Sequence, residues 1–280
     1  MTTVPLLDVA DLSVTFETPR GRVKAVRGVS FAMGREKLGI VGESGSGKSC
    51  TGRSILRLLP GNATLTAARL NFDGAVDLLR ATHGELRALR GRRLSMVMQD
   101  PKFSLNPVMT VGEQIAEAYR AHSNAGQREA REKALAMLEA VRIREPARVY
   151  RLYPHEVSGG MGQRVMIAMM LAPDPDLLVA DEPTSALDVT VQMQVLAILD
   201  DLVSRRGMGL IFISHDLTLV GSFCDRVLVM YGGRVVETLA ARDLTAAQHP
   251  YTRGLMACLP TVEGREGELP VLARDPAWLR

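Results

Sequence analysis

Cysteine, charge asymmetry and long apolar runs are all scarce in this chain, and each shortage closes off a class of protein. The three cysteines, Cys50, Cys224 and Cys258, are scattered with no C-x-x-C pair. Neither a disulfide framework nor a zinc site is expected, and a reducing cytoplasm fits best. The longest apolar stretch, Val165 to Pro173, falls far short of the roughly eighteen residues a membrane-spanning helix needs. Met1-Thr2-Thr3-Val4 is not followed by a basic segment and an apolar signal core, so export is not expected. A net charge of +3 with dispersed basic residues leaves no electrostatic footprint for nucleic acid. What remains is a chain of 280 residues, 46% hydrophobic, long enough for one large domain or a domain with an inserted or appended piece.

Gly42-Glu43-Ser44-Gly45-Ser46-Gly47-Lys48-Ser49 satisfies every fixed position of the phosphate-binding pattern G-x-x-x-x-G-K-S/T. Its context fits as well. The apolar run Leu38-Gly39-Ile40-Val41 reads as a buried parallel strand, and Arg53 to Leu59 has helical apolar spacing that stops at Pro60-Gly61. A strand, a glycine-rich turn and a helix start make a nest of backbone N–H groups at the positive end of a helix dipole. Lys48 is then expected to reach the β- and γ-phosphates, with the Ser49 hydroxyl on Mg²⁺.

The spacing predicts an α/β core interrupted by a helical insert. Strands are expected over Leu6–Phe16, Val26–Met33, Leu94–Met98, Leu177–Ala180 and Leu210–Ser214, with a hairpin at Val227–Glu237 turning on Gly232-Gly233. Helical periodicity covers Val111–Arg142, where Glu129 is placed to pair with Lys133, and Val191–Arg205. The insert spans roughly residues 100–170.

Further segments narrow the class. Leu177–Ala180 delivers Asp181 and Glu182 at a strand's C-terminal end, where open α/β sheets bind ligands. Asp181 suits a water-mediated hold on Mg²⁺, and Glu182 a general base for the attacking water. Taken alone, Asp-Glu-Pro would fit an acidic helix N-cap equally well. Ser158-Gly159-Gly160-Met161 precedes an apolar helical run and offers a second anion cradle, or else a flexible interhelical loop. Two cradles in one chain hint at a head-to-tail dimer. His215, just beyond a strand, suits a γ-phosphate sensor if it is not simply structural. Gln99 can contact Mg²⁺ and water through its amide, and Phe16 can stack on adenine or serve as a core aromatic.

Together these motifs make the chain resemble the nucleotide-binding subunit of an ATP-binding cassette (ABC) transporter over about residues 5–240. Gly42–Ser49 matches Walker A, Gln99 the Q-loop, and Ser158–Met161 the signature. Asp181-Glu182 matches Walker B with its catalytic glutamate, Ser185-Ala186-Leu187-Asp188 the D-loop, and His215 the switch. The resemblance implies a P-loop NTPase fold with an antiparallel β subdomain and a helical insert. It also implies ATP and Mg²⁺ as ligands, with Ser49, Gln99 and Asp181 on the metal. ATP would sit between Gly42–Ser49 of one subunit and Ser158–Met161 of another, with Asp188 aligning the partner's site.

Met98–Pro101 with Ser104–Pro107, Gln163–Met169 and His249-Pro250-Tyr251-Thr252-Arg253-Gly254-Leu255 look like the oligopeptide, dipeptide and nickel importers. That likeness implies two transmembrane permeases, a second ATPase subunit (non-identical or a second copy) and, indirectly, an extracytoplasmic solute-binding protein. The chain would lie peripherally at the cytoplasmic face of the inner membrane, with no nucleic-acid partner. Residues 241–280 are then a C-terminal extension, expected to lack the cysteine cluster of many peptide importers because only Cys258 is present there. The short tail is also compatible with the nickel branch. A soluble ABC ATPase acting on nucleic acid or ribosomes is the rival of another class.

Overall fold

Alternating apolar residues over Leu7–Thr18 (β1) and Gly21–Met33 (β2) fold into a long antiparallel hairpin, with Leu7 opposite Met33 and Thr18 opposite Gly21. Leu7 and Val9, and Leu12 and Val14, are buried as two alternating pairs, and the irregularity at Asp11 (φ 51°) shifts the period of two by one residue between them. The computed structural model describes residues 4–100, 104–185, 187–258, Asp275 and Trp278. Pro101, Ala186 and most of the 264–280 tail lie outside these. The chain divides into two units, Met1–Ala81 with Ile211–Arg280, and Thr82–Leu210.

In the first unit, β1 also pairs with the short strands β4 (Ala63–Thr66) and β5 (Arg69–Phe72), and β5 with β6 (Val76–Asp77), all antiparallel. The buried strand β3 (Lys37–Val41) runs parallel to β10 (Arg226–Tyr231), which turns through Gly232-Gly233 into β11 (Arg234–Ala240). Both turn glycines have positive φ, 53° and 85°, as a two-residue hairpin turn demands. Helix α1 (Lys48–Ile55) follows β3. It starts earlier and ends earlier than the apolar spacing of 53–59 predicts. Arg57 turns to φ 54° and its guanidinium bonds the carbonyls of Leu78 and Leu79 at 2.8 and 2.6 Å, which stops the helix before Pro60.

The second unit begins with α2 (His83–Leu89), closed by a Thr82/Glu85 capping box. Strands β7 (Leu94–Val97) and β8 (Leu177–Asp181) are parallel, Leu94 opposite Leu177. Between them come α3 (Val111–Arg120), α4 (Gln127–Ala140), α5 (Pro146–Val149) and α6 (Gly159–Leu171). Val165, Met166, Ile167, Ala168 and Leu171 are wholly buried, so the longest apolar stretch of the sequence is a core helix. Lys133 does not pair with Glu129. It bridges Asp174 at 2.6 Å, beside Arg206 at 2.9 Å, while Glu129 accepts the Tyr119 hydroxyl. A carboxylate facing two cations outcompetes a helical i,i+4 pair.

Helix α7 (Val189–Arg206) leads to β9 (Gly209–Ser214), which begins in the second unit and ends in the first. Then follow α8 (Leu217–Phe223), a 3-10 turn at Ala241–Ala246 and α9 (Pro250–Ala257).

Candidate nucleotide site

The phosphate loop is built by backbone that only glycine accommodates cheaply. Gly42, Gly45 and Gly47 have φ of 150°, 81° and 99°, a region that costs an L side chain. At Gly47 a Cβ would lie 2.5 Å from the Ala25 carbonyl, and at Gly42 it would strike the Met230 carbonyl. Gly47 is the N-cap of α1 and offers no side-chain cap, and no acidic residue lies in the helix's first turn. No carboxylate of the helix's own first turn therefore competes for its first N–H groups.

Lys48, 5% exposed, donates to the carbonyls of Gly42 at 2.7 Å and Glu43 at 2.9 Å. The Ser46 N–H closes the loop on Glu43 O at 3.1 Å. The buried Ser46 hydroxyl finds no hydrogen-bond partner among the described residues. A helix start without a side-chain cap, one buried ammonium and one orphaned hydroxyl fit a polyphosphate. Next to Ser49, burial pushes the Cys50 thiol up to about 11 against the opposing charge of Arg53, so it is protonated at neutral pH and is no nucleophile.

His215 lies in the same unit, exposed just past β9, and the following Asp216 caps α8 by accepting from Leu219 N–H at 3.0 Å. Phe16 is half-buried near the end of β1, opposite Val23 and Ala63.

The second unit gathers the remaining motif residues. Asp181 ends β8, 3% exposed, and Glu182 follows with φ 48°. A left-handed glutamate at a strand end is strained backbone of a kind that clusters at working sites. The Gln99 amide donates to Glu182 Oε2 at 3.1 Å, so these two residues, distant in sequence, meet. Neither Asp181 nor Glu182 is a helix N-cap. That place belongs to Asp188, which accepts from Val191 N–H at 3.0 Å at the start of α7.

Ser158 caps α6, its hydroxyl accepting from Met161 N–H at 3.3 Å. A Cβ on Gly160 would sit 2.6 Å from Val191, so Gly160 lets the signature helix approach the D-loop helix. Gln99, Ser158, Gly159, Gln163, Pro183 and Leu187 line a cavity of about 270 Å³. The buried Gln163 amide nitrogen there has no partner among the described residues. No single residue type flags Gln163 in the sequence, and the same is true of Tyr251, whose hydroxyl accepts the Glu43 N–H of the phosphate loop at 3.0 Å.

Residues 26–185 match the ABC transporter family. The chain is 51% identical over 269 residues to the "Probable peptide ABC transporter ATP-binding protein y4tR" of Sinorhizobium fredii, covering 95% of this chain and 80% of that one. It is 47% identical over 279 residues to the oligopeptide transport ATP-binding protein OppD of Escherichia coli, covering 98% and 82%. Among solved structures it is similar to the ATP-binding cassette MJ0796, a dimer in a post-hydrolysis state bound to ADP and phosphate. The TM-score is 0.76 at 26% identity, covering 84% of this chain and 99% of that one. From its sequence match and its fold alike, the chain belongs to the ABC transporter family, among its ATP-binding subunits.

Proposed function

We propose that this chain hydrolyses ATP to power peptide import through a membrane transporter. The observation that carries the cargo class is the 45–51% identity to relatives named for peptide and oligopeptide import, over nearly the whole chain. No residue of an energising subunit need touch the solute, so relatives inform the cargo where the site cannot.

In this reading Lys48 and the N–H groups of the 42–49 loop bind the phosphates and stabilise charge on the transferring phosphoryl group. Glu182, held by the Gln99 amide, orients the attacking water, and His215 reports the γ-phosphate. Phe16 meets the base. Ser158–Met161 serve a nucleotide bound by a partner subunit, with Asp188 beside it. Ser49, Gln99 and Asp181 are the oxygen donors that would hold Mg²⁺, a hard cation bound through one or two carboxylates together with the nucleotide's own phosphates. When bound, it neutralises phosphate charge.

The partners are two permeases, a second ATPase subunit and, indirectly, a solute-binding protein. Val189 and Met193, one helical turn apart on α7, are 75% and 58% exposed beside Asp188. An apolar pair in that place suits a subunit contact. Among the described residues no helix is long and apolar enough to cross a membrane. Attachment through the permeases would hold the chain at the cytoplasmic face.

The test is uptake of labelled dipeptide and of nickel in cells carrying the chain or its Glu182→Gln variant. Glu182-dependent dipeptide uptake is expected. Glu182-dependent uptake of nickel alone would move the chain to metal import.

A further inference from the structure

We infer that Tyr251, on the C-terminal helix α9, is a positioning residue of the nucleotide site. It holds the peptide group that holds Lys48. The inference rests on the reading of Gly42–Ser49 as the phosphate cradle.

The geometry turns on one peptide unit, Gly42–Glu43. Its N–H donates to the Tyr251 hydroxyl at 3.0 Å, and its carbonyl, Gly42 O, accepts the Lys48 ammonium at 2.7 Å. The next carbonyl, Glu43 O, accepts from Lys48 at 2.9 Å and from the Ser46 N–H at 3.1 Å. A planar peptide tied at its N–H edge cannot rotate its carbonyl edge freely. The two hydrogen bonds on one amide also polarise each other in a buried setting. Tyr251 thereby sets where the Lys48 ammonium rests and how the loop enters its turn.

The tyrosine is itself over-determined. Its side chain is wholly buried, and its ring lies 4.5 Å from Tyr231 and 5.8 Å from Trp278, centroid to centroid. Tyr231 ends β10, directly after the Met230 carbonyl that crowds Gly42. Helix α9 is pinned at its start. Glu237 Oε1 on β11 accepts the N–H groups of Gln248 at 2.7 Å and His249 at 3.3 Å. His249 caps the helix by accepting the Tyr251 N–H at 3.2 Å, with Pro250 at the first helical position. Strand β11, helix α9 and the phosphate loop thus form one hydrogen-bonded chain that ends at Lys48. A helix needed only to cover the core would require the tyrosine's ring and not its oxygen.

The test is Tyr251→Phe in the full-length chain. ATP affinity is measured by calorimetry, and KM and kcat are measured for the chain assembled with its permeases. Losing one hydrogen bond that orders the bound loop should weaken ATP binding and raise KM about 2- to 10-fold, with kcat within about twofold. Glu237→Gln, which loosens the start of α9 and leaves the tyrosine intact, should move KM the same way by less. ATP affinity and KM unchanged in Tyr251→Phe, whether or not the melting temperature falls, would make the tyrosine a packing residue and overturn the inference. Lys48→Ala, run in parallel, separates the two levels. If it binds ATP as tightly as wild type, the phosphate-cradle reading itself fails.

Discussion

Two helix starts in this chain bear glycine-rich sequences, and they are finished differently. At α1 the N-cap is Gly47, left-handed and without a side-chain cap. At α6 the N-cap is Ser158, in extended backbone, with its hydroxyl already taking the Met161 N–H. The first is left open to an external anion from the start. The second is closed by its own chain and keeps fewer donors to offer. In the proposed reading the difference separates a primary phosphate cradle from a supplementary one that serves a partner subunit's nucleotide. Most other long helices follow the second pattern: Thr110, Asp188 and His249 each cap α3, α7 and α9. With Gly47 as its N-cap, α1 forgoes only about a few tenths of a kcal/mol relative to a side-chain cap, a loss that a phosphate bound there would offset.

Substitutions at the two starts should therefore separate cleanly. Gly47→Ala is expected to have the largest effect. It forces a side chain into φ 99° and against the Ala25 carbonyl, at a cost of about 2 kcal/mol or more, and ATP binding measured by calorimetry should disappear. Ser158→Ala should cost about 1 kcal/mol of stability, read by urea denaturation. It should leave ATP binding to the isolated chain intact and lower turnover of the assembled transporter. Equal loss of ATP affinity in both variants would erase the distinction between the two starts.

The smallest effect concerns acid. Burial alone would raise the Glu237 carboxyl, but the nearby Thr252 hydroxyl, the Gln248 and His249 N–H groups and the charge of His249 outweigh it and hold it below the usual range. A carboxyl lowered by folding stabilises the fold fully above its unfolded value, and that stabilisation is lost as pH falls through its folded value. Melting curves should therefore show Glu237→Gln destabilised near neutrality, with the gap to wild type closing as the solution is acidified below the ordinary carboxylate range.

How much of this was legible in the sequence follows from distance along the chain. The phosphate loop, its strand and the Asp181-Glu182 strand end are contiguous patterns, and the structure forms each where the residues predict it. The hairpin at Gly232-Gly233 was equally local. Strands β4 to β6 were not legible, because segments of two to four residues carry no alternation long enough to read. The early end of α1 depends on Arg57 finding carbonyls at Leu78 and Leu79, which no helical periodicity encodes. The Gln99–Glu182 contact spans 83 residues and the Tyr251–Glu43 bond 208. His249–Leu255 stood out in the sequence as a family-like segment. Its physical use appears only when the fold sets it beside the loop.

The most direct test of the central claim is a paired measurement on Glu182→Gln, ATP binding by calorimetry and steady-state hydrolysis by the assembled transporter. A general base contributes about 10²- to 10⁴-fold, so the variant should bind ATP as wild type does while turnover falls by that order and a closed dimer accumulates in ATP. Hydrolysis at the wild-type rate would contradict the account and remove Glu182 from the reaction.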